Sequence, residues 1–260
     1  MMIDLALSGC GALGPAHVGA VAALRVGGMR IESIAGTSAG SIVAAGVACG
    51  FDTAAMRAIA EATIGTDLLD LRPLPFMRAG WGLCAGDALR RALREHLGDR
   101  RMRDVTIPLS VVATAVEDGA GVFFSSVATP DLRMVDVVLA SCSIPFVFQA
   151  ATIPGRAGRF VDGGLVANVP FGAMRSHPER VRRRVAVLVR GRRTARTVTG
   201  LLSYARAIMS AALDASHVPP DVDAIRVDVD GDALDLDIGQ ETIAAYHDAG
   251  YRAAERWLLA

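Results

Sequence analysis

The sequence predicts an α/β fold with parallel strands, on three observations. Apolar runs of strand length alternate with helix-period segments from the first residue onward. Apolar residues make up 52% of the 260-residue chain and charged residues 21%, a balance that excludes a disordered or fibrous protein. Glycine-bearing turns stand where strands pass into helices, at Gly9–Gly14 and at Gly36–Gly40.

The elements follow in order. Ile3–Leu7 reads as a buried strand. Pro15 opens a helix to Val26, because proline suits a first helical turn, and Gly27-Gly28 closes it. Ile31–Ala35 is a second strand, Gly40–Cys49 a second helix, and Thr53–Thr63 and Asp87–Leu97 further helices; Ile64–Gly86 reads as loop. Leu109–Val116 and Val122–Ser126 read as a strand pair around the turn dipeptide Asp118-Gly119. Asp131–Ala140 is helical, and Phe160-Val161 is a short strand ending at Asp162-Gly163-Gly164. Val185–Val189, Thr197–Ala215, Ala224–Val229 and Gln240–Leu258 complete a strand, helix, strand, helix series. With no interdomain linker or internal repeat, one domain over residues 1–260 is expected.

Composition removes several classes of function. Twenty-seven basic and 27 acidic residues cancel, so no global attraction to nucleic acid is built in. Every basic side chain is arginine; without lysine, Schiff-base chemistry and a P-loop are excluded. Cys10, Cys49, Cys84 and Cys142 form no C-x-x-C pair, and the five histidines show no zinc-ligand spacing, so neither metal nor cofactor is predicted. Scattered thiols, the lack of a signal-peptide pattern and the lack of an apolar run of about 20 residues predict a soluble cytoplasmic protein.

Three short motifs carry chemistry. In the first, Gly9, Gly11 and Gly14 satisfy G-x-G-x-x-G between strand and helix, which offers backbone N–H groups to an anion. That anion is either a bound phosphate or a charge that develops during a reaction. A dinucleotide site needs an acid at the end of the second strand, but the strand ends in Ala35-Gly36-Thr37-Ser38, so the nucleotide reading is the weaker one. In the second, Gly36-Thr37-Ser38-Ala39-Gly40 is G-x-S-x-G on a strand-to-helix turn, the setting of an exposed serine nucleophile or, in the bland reading, an N-cap. In the third, Asp162 ends an apolar strand, where apolar walls raise a carboxylate's proton affinity toward that of a general base. Read alone, Asp162 in Asp162-Gly163-Gly164 is by default a turn-former. No histidine stands in a context that suggests a base; His17, one turn into the first helix, reads as a packing or hydrogen-bonding residue.

Gly9-Cys10-Gly11-Ala12-Leu13-Gly14, Gly36-Thr37-Ser38-Ala39-Gly40 and Asp162-Gly163-Gly164, in that order, resemble the patatin-like phospholipase family, its compact bacterial members above all. Ala140-Ser141-Cys142-Ser143-Ile144-Pro145 and the stretch Leu165–Pro170 also look like signature segments of that family; the likeness is strong over about residues 3–175 and a matter of layout over 176–260. The resemblance implies a three-layer α/β/α sandwich with a mainly parallel sheet that cleaves lipid acyl esters without metal. By the same carry-over Ser38 is the nucleophile and Asp162 the base. Gly9, Cys10, Gly11 and Ala12 furnish the oxyanion hole, and Gly36 and Gly40 shape the nucleophile turn.

Two departures stand out. The family's middle glycine is Cys10 here, and its basic residue is Leu13. A Cβ restricts the loop, and a lost cation weakens the local field, so a lipid- or protein-binding module with impaired chemistry is the alternative. Phe76, Met77, Trp81 and Leu83 suggest a lid or a peripheral membrane contact, or an apolar flap packed on the body. Nine arginines between Arg175 and Arg196 face one acid, Glu179; the expectation is a solvated face paired with aspartates between Asp221 and Asp237. Without interleaved aromatics the patch does not suit nucleic acid, so the expected partner is a lipid ester or phospholipid substrate.

Overall fold

A computed structural model of the chain describes residues 1–71, 82–174, 182–192 and 218–260, together with Ala207 and Ala211. The helix expected over Thr197–Ala215 therefore lies outside the described residues, except that Ala207 and Ala211 are both helical. Phe76, Met77 and Trp81 also lie outside them.

The central sheet is built from β1 (Met2–Leu7), β2 (Arg30–Thr37), β4 (Leu109–Ala115), β5 (Gly121–Ser125), β7 (Phe160–Asp162), β8 (Arg183–Gly191) and β9 (Asp223–Val229). Its order is β5-β4-β2-β1-β8-β9, with β7 added to β4. The β1–β2, β1–β8, β2–β4 and β8–β9 pairs are parallel, and β5 and β7 run antiparallel to β4. The expected α/β architecture is thus present, with a mainly parallel sheet. Parallel strands covered on both faces are apolar along their length. Leu5 and Leu7 face one packed cluster with Val185 and Val187, while Ala6 faces another with Ala186 and Leu188.

The helices are α1 (Pro15–Val26), α2 (Ala39–Ala48), α3 (Thr53–Ala62), α4 (Asp87–Leu97), α5 (Met134–Ser141), the short α6 (Gly164–Ala167) and α7 (Gln240–Leu259). Pro15 opens α1 as its sequence requires, and Asp52 caps α3 by accepting the Ala55 N–H at 2.8 Å. The start of α4 is capped from outside: the Asp70 carboxylate accepts the N–H groups of Gly86, Asp87 and Ala88 at 2.9, 2.8 and 3.2 Å. That anchor fixes residues 66–71 beside α4. Within the stretch expected to be loop, β3 (Gly82–Cys84) pairs in parallel with β6 (Phe146–Phe148), a pairing too short and too remote in sequence to leave a period-2 signal.

Three described arginines of the patch, Arg182, Arg183 and Arg184, are paired. Arg182 meets the buried Asp4 at 3.1 Å, and Arg183 and Arg184 pair with Asp223 and Asp221. The last two pairs are the partners expected from the aspartate-rich segment.

Candidate active site

The register of one strand brings the distant motifs together. Thr37, the last residue of β2, stands opposite Val112 of β4, and Asp162 of β7 stands opposite Ala113, the next residue along. Because β5 occupies the other edge of β4 over Ser110–Thr114, β7 continues the edge that β2 leaves. Ser38 follows Thr37 directly, and its Oγ donates to Asp162 Oδ2 at 2.5 Å across 124 positions of sequence.

Ser38 sits at φ 51°, ψ −129°, a backbone state that costs a non-glycine residue on the order of 1–3 kcal/mol. Two serines hold it there. Its N–H donates to Ser141 Oγ at 2.9 Å, and its carbonyl accepts from Ser41 Oγ at 2.6 Å. Ser141 in turn donates to the Val112 carbonyl at 2.5 Å, which ties the turn to the sheet. The flanking glycines are required by contact: a Cβ on Gly36 would stand 2.5 Å from the Gly40 oxygen, and one on Gly40 would stand 2.4 Å from the Ser8 oxygen. Helix α2 therefore starts against bare backbone, with Ser38 at its N-terminal end, where the helix dipole favours negative charge.

Asp162 is 1% exposed. Burial pushes its carboxyl up to about 6, against the downward pull of the hydrogen bonds from Ser38 and from the Gly164 N–H at 2.7 Å. Thr114 Oγ1 donates to the Asp162 carbonyl, and the Asp162 N–H donates to the Ser143 carbonyl, so the backbone that carries the carboxylate is fixed at both ends.

The first loop lies against the serine: a Cβ on Gly9 would stand 3.3 Å from Ser38 Cβ. Its N–H groups divide into two sets. Gly9 donates to the Asn168 carbonyl at 3.0 Å and Ala12 to the Ala233 carbonyl at 2.8 Å, so both are engaged. Among the described residues, the N–H groups of Cys10 and Gly11 have no acceptor. Of the four residues expected to line the hole, Cys10 and Gly11 are thus the two with amides to spare. The Ala12 amide is thus engaged by a backbone carbonyl and is not open to an anion.

Both sequence departures find a structural account. Cys10 has φ −155°, outside the left-handed range, so its Cβ is tolerated; the positive φ falls on Gly11, at 54°. Leu13 is buried against the sheet end, its methyls 3.6 and 3.4 Å from where Cβ atoms on Gly191 and Gly231 would lie. The Cys10 and Cys142 thiols are pushed up by burial and by the Asp162 charge, so both remain protonated and neither competes as a nucleophile. His17 is fully buried, its Nε2–H donating to the Ser8 carbonyl at 2.8 Å, and burial lowers its ring to about 4. It anchors the first loop as a neutral residue.

A cavity of about 410 Å³ opens beside the serine. Ser38, Gly11 and Cys142 line it with apolar side chains from α2, α4 and β6, including Ile42, Leu89 and Phe148. Asp162 lies behind the serine, joined to the cavity wall through Ser38 Oγ. The roles of Ser41, Ser141 and Thr114 escaped sequence reasoning. Ser141 lies in a signature-like segment and Ser41 follows the nucleophile motif, but only tertiary contact shows what they hold.

The sequence profile of the Patatin-like phospholipase family matches residues 5–175, two thirds of the chain. The chain belongs to the patatin-like phospholipase family. Among curated relatives, the uncharacterised protein YqhO of Bacillus subtilis is 32% identical over 192 residues, 66% of this chain and 66% of its own length. The cGAMP-activated phospholipase of Pseudomonas aeruginosa is 33% identical over 150 residues, 54% of this chain and 44% of its own length. The chain thus spans about half to two thirds of these patatin-like relatives. Among solved structures, VipD of Legionella pneumophila superposes with a TM-score of 0.59 at 15% identity, over 99% of this chain and 66% of VipD. ExoU of Pseudomonas aeruginosa, solved with SpcU, superposes with a TM-score of 0.53 at 19% identity, over 99% of this chain and 51% of that one. At such identities the two structures speak to the shared fold. No helix among the described residues is long and apolar enough to cross a membrane.

Proposed function

We propose that the protein is a serine acyl hydrolase that cleaves lipid acyl esters through a Ser38–Asp162 dyad. The observation that carries the reading is the 2.5 Å hydrogen bond from the strained Ser38 to a buried carboxylate at the edge of an apolar cavity. Ser38 Oγ attacks the ester carbonyl while its proton passes to Asp162, a general base of the kind that contributes roughly 10²–10⁴-fold. The tetrahedral oxyanion accepts hydrogen bonds from the Cys10 and Gly11 N–H groups, each worth about 3 kcal/mol in comparable sites. Collapse breaks the C–O bond, and the departing alkoxide takes the proton held on Asp162. Water, deprotonated by Asp162, then attacks the acyl-Ser38 ester, and a second collapse releases the fatty acid and restores the serine.

Exposed Leu71 and Phe146 at the cavity mouth suit a peripheral contact with lipid. The four unpaired cysteines suit a reducing, cytoplasmic setting.

The test is a fluorophosphonate probe together with a small ester panel. Wild-type protein should form an adduct on Ser38 and turn over at least one acyl ester, and Ser38→Ala should do neither. A folded wild-type protein that forms no adduct would leave the impaired binding module as the reading, on the strength of Cys10 and Leu13.

A further inference from the structure

The two ends of the cavity differ in chemistry. Ile42, Leu68, Leu89 and Phe148 form a buried inner end, each no more than 6% exposed. The rim is exposed and carries Asp235 and Asp237 beside Leu71 and Phe146. Among the described residues, no arginine lines the cavity.

The acidic side of the rim is a defined piece of chain. From Leu234 to Ile238 apolar and acidic residues alternate, with Leu234, Leu236 and Ile238 half-buried and the two aspartates exposed. The Ala12 N–H holds the Ala233 carbonyl, Asp232 Oδ1 accepts the Leu234 N–H at 3.1 Å, and Asp235 Oδ1 accepts the Asp237 N–H at 3.2 Å. Leu234, Asp235, Leu236 and Asp237 all line the cavity, the leucines half-buried and the carboxylates exposed. Among the described residues neither Asp235 nor Asp237 has a cationic partner.

We infer that this rim makes the cavity a site that favours neutral or zwitterionic headgroups over anionic ones, with Asp235 and Asp237 as the residues that set the preference. The inference rests on the hydrolase reading for what enters the cavity. The binding site is the cavity, and the carboxylates bias which headgroup its mouth accepts. A cavity of about 410 Å³ with an apolar inner end has room for an acyl chain. Two carboxylates acting across a wet rim on a headgroup charge correspond to a bias of roughly three- to tenfold at low salt. Added salt screens that bias.

The experiment compares two non-hydrolysable amphiphiles, dodecylphosphocholine and dodecyl phosphate, binding to the wild-type chain at monomeric concentrations by calorimetry. They share a chain and a phosphate and differ in the choline cation. The expected result is three- to tenfold tighter binding of dodecylphosphocholine at low salt, a bias that shrinks at high salt and disappears in Asp235→Asn/Asp237→Asn. Equal or tighter binding of dodecyl phosphate, a bias unchanged in the double variant, or no binding of either amphiphile overturns the inference. Because neither compound is turned over, these outcomes are independent of the ester assay with Ser38→Ala, which tests the hydrolase reading alone.

Discussion

Asp162→Asn should make the protein more stable while removing its proposed chemistry. The carboxyl is pushed from 3.8 to about 6, chiefly because burial penalises the charged form. Each pK unit corresponds to about 1.4 kcal/mol, so keeping Asp162 ionised at pH 8 costs the folded state roughly 3 kcal/mol. Asparagine removes that charge and keeps both contacts: its Oδ1 accepts the Gly164 N–H, and its amide donates to Ser38 Oγ. A folded pKa above the unfolded one means that the native state holds the proton more tightly. The aspartic acid form is therefore free of penalty below about pH 4, and the wild type loses stability as pH rises through about 6. The variant's advantage over wild type should be near 3 kcal/mol at pH 8, about half that at pH 5, and close to zero near pH 3. For a chain of this size the full effect is a rise of about 5–10 °C in melting temperature. Urea unfolding of both proteins at pH 8 and pH 5 measures the difference directly, and the other carboxylates cancel in the comparison. An Asn variant no more stable than wild type at pH 8, or an advantage that does not change with pH, would refute the argument from desolvation.

Ester turnover should rise through an apparent pKa near 6 and level off above it, because only ionised Asp162 takes the proton; a pH–kcat/KM profile flat across pH 5–7 would contradict this. Gly40→Ala should lower stability by at least about 2 kcal/mol and impair labelling of Ser38, since its Cβ would stand 2.4 Å from the Ser8 oxygen; circular dichroism melts and probe labelling check both effects. Leu13→Arg, which restores the family's basic residue, should destabilise by about 3 kcal/mol or more, because that side chain is 1% exposed and packed within the hydrophobic core; soluble yield and melting temperature report it. Cys10→Gly should change kcat/KM by less than about tenfold, since the amide and its negative φ need no side chain; a gain of several orders of magnitude would show instead that Cys10 holds the loop in an impaired form.

The three motifs were legible in the sequence because each is a local solution to a strand-end problem. A tight turn from strand to helix demands glycine at Gly36, where a Cβ would meet the Gly40 carbonyl of the same turn, and a nucleophile on such a turn needs no distant residue to be recognised. For the same reason most of the alternation of strand and helix over the described residues was readable, while the β3–β6 pair, three residues in each strand, was not.

What the sequence determined by itself is which side chains are available, Ser38, Asp162 and the glycine turns, since turn chemistry depends on neighbours along the chain. Tertiary structure alone decided that β7 takes over the edge of β4 where β2 stops, that the carbonyls of Asn168 and Ala233 consume two of the four loop amides, and that residues 233–237 wall the cavity with two carboxylates at its mouth. The physical reason is one of range. Amide availability, desolvation of a carboxylate and the charge around an opening are set by groups remote in sequence, and those contacts exist only once the sheet has assembled.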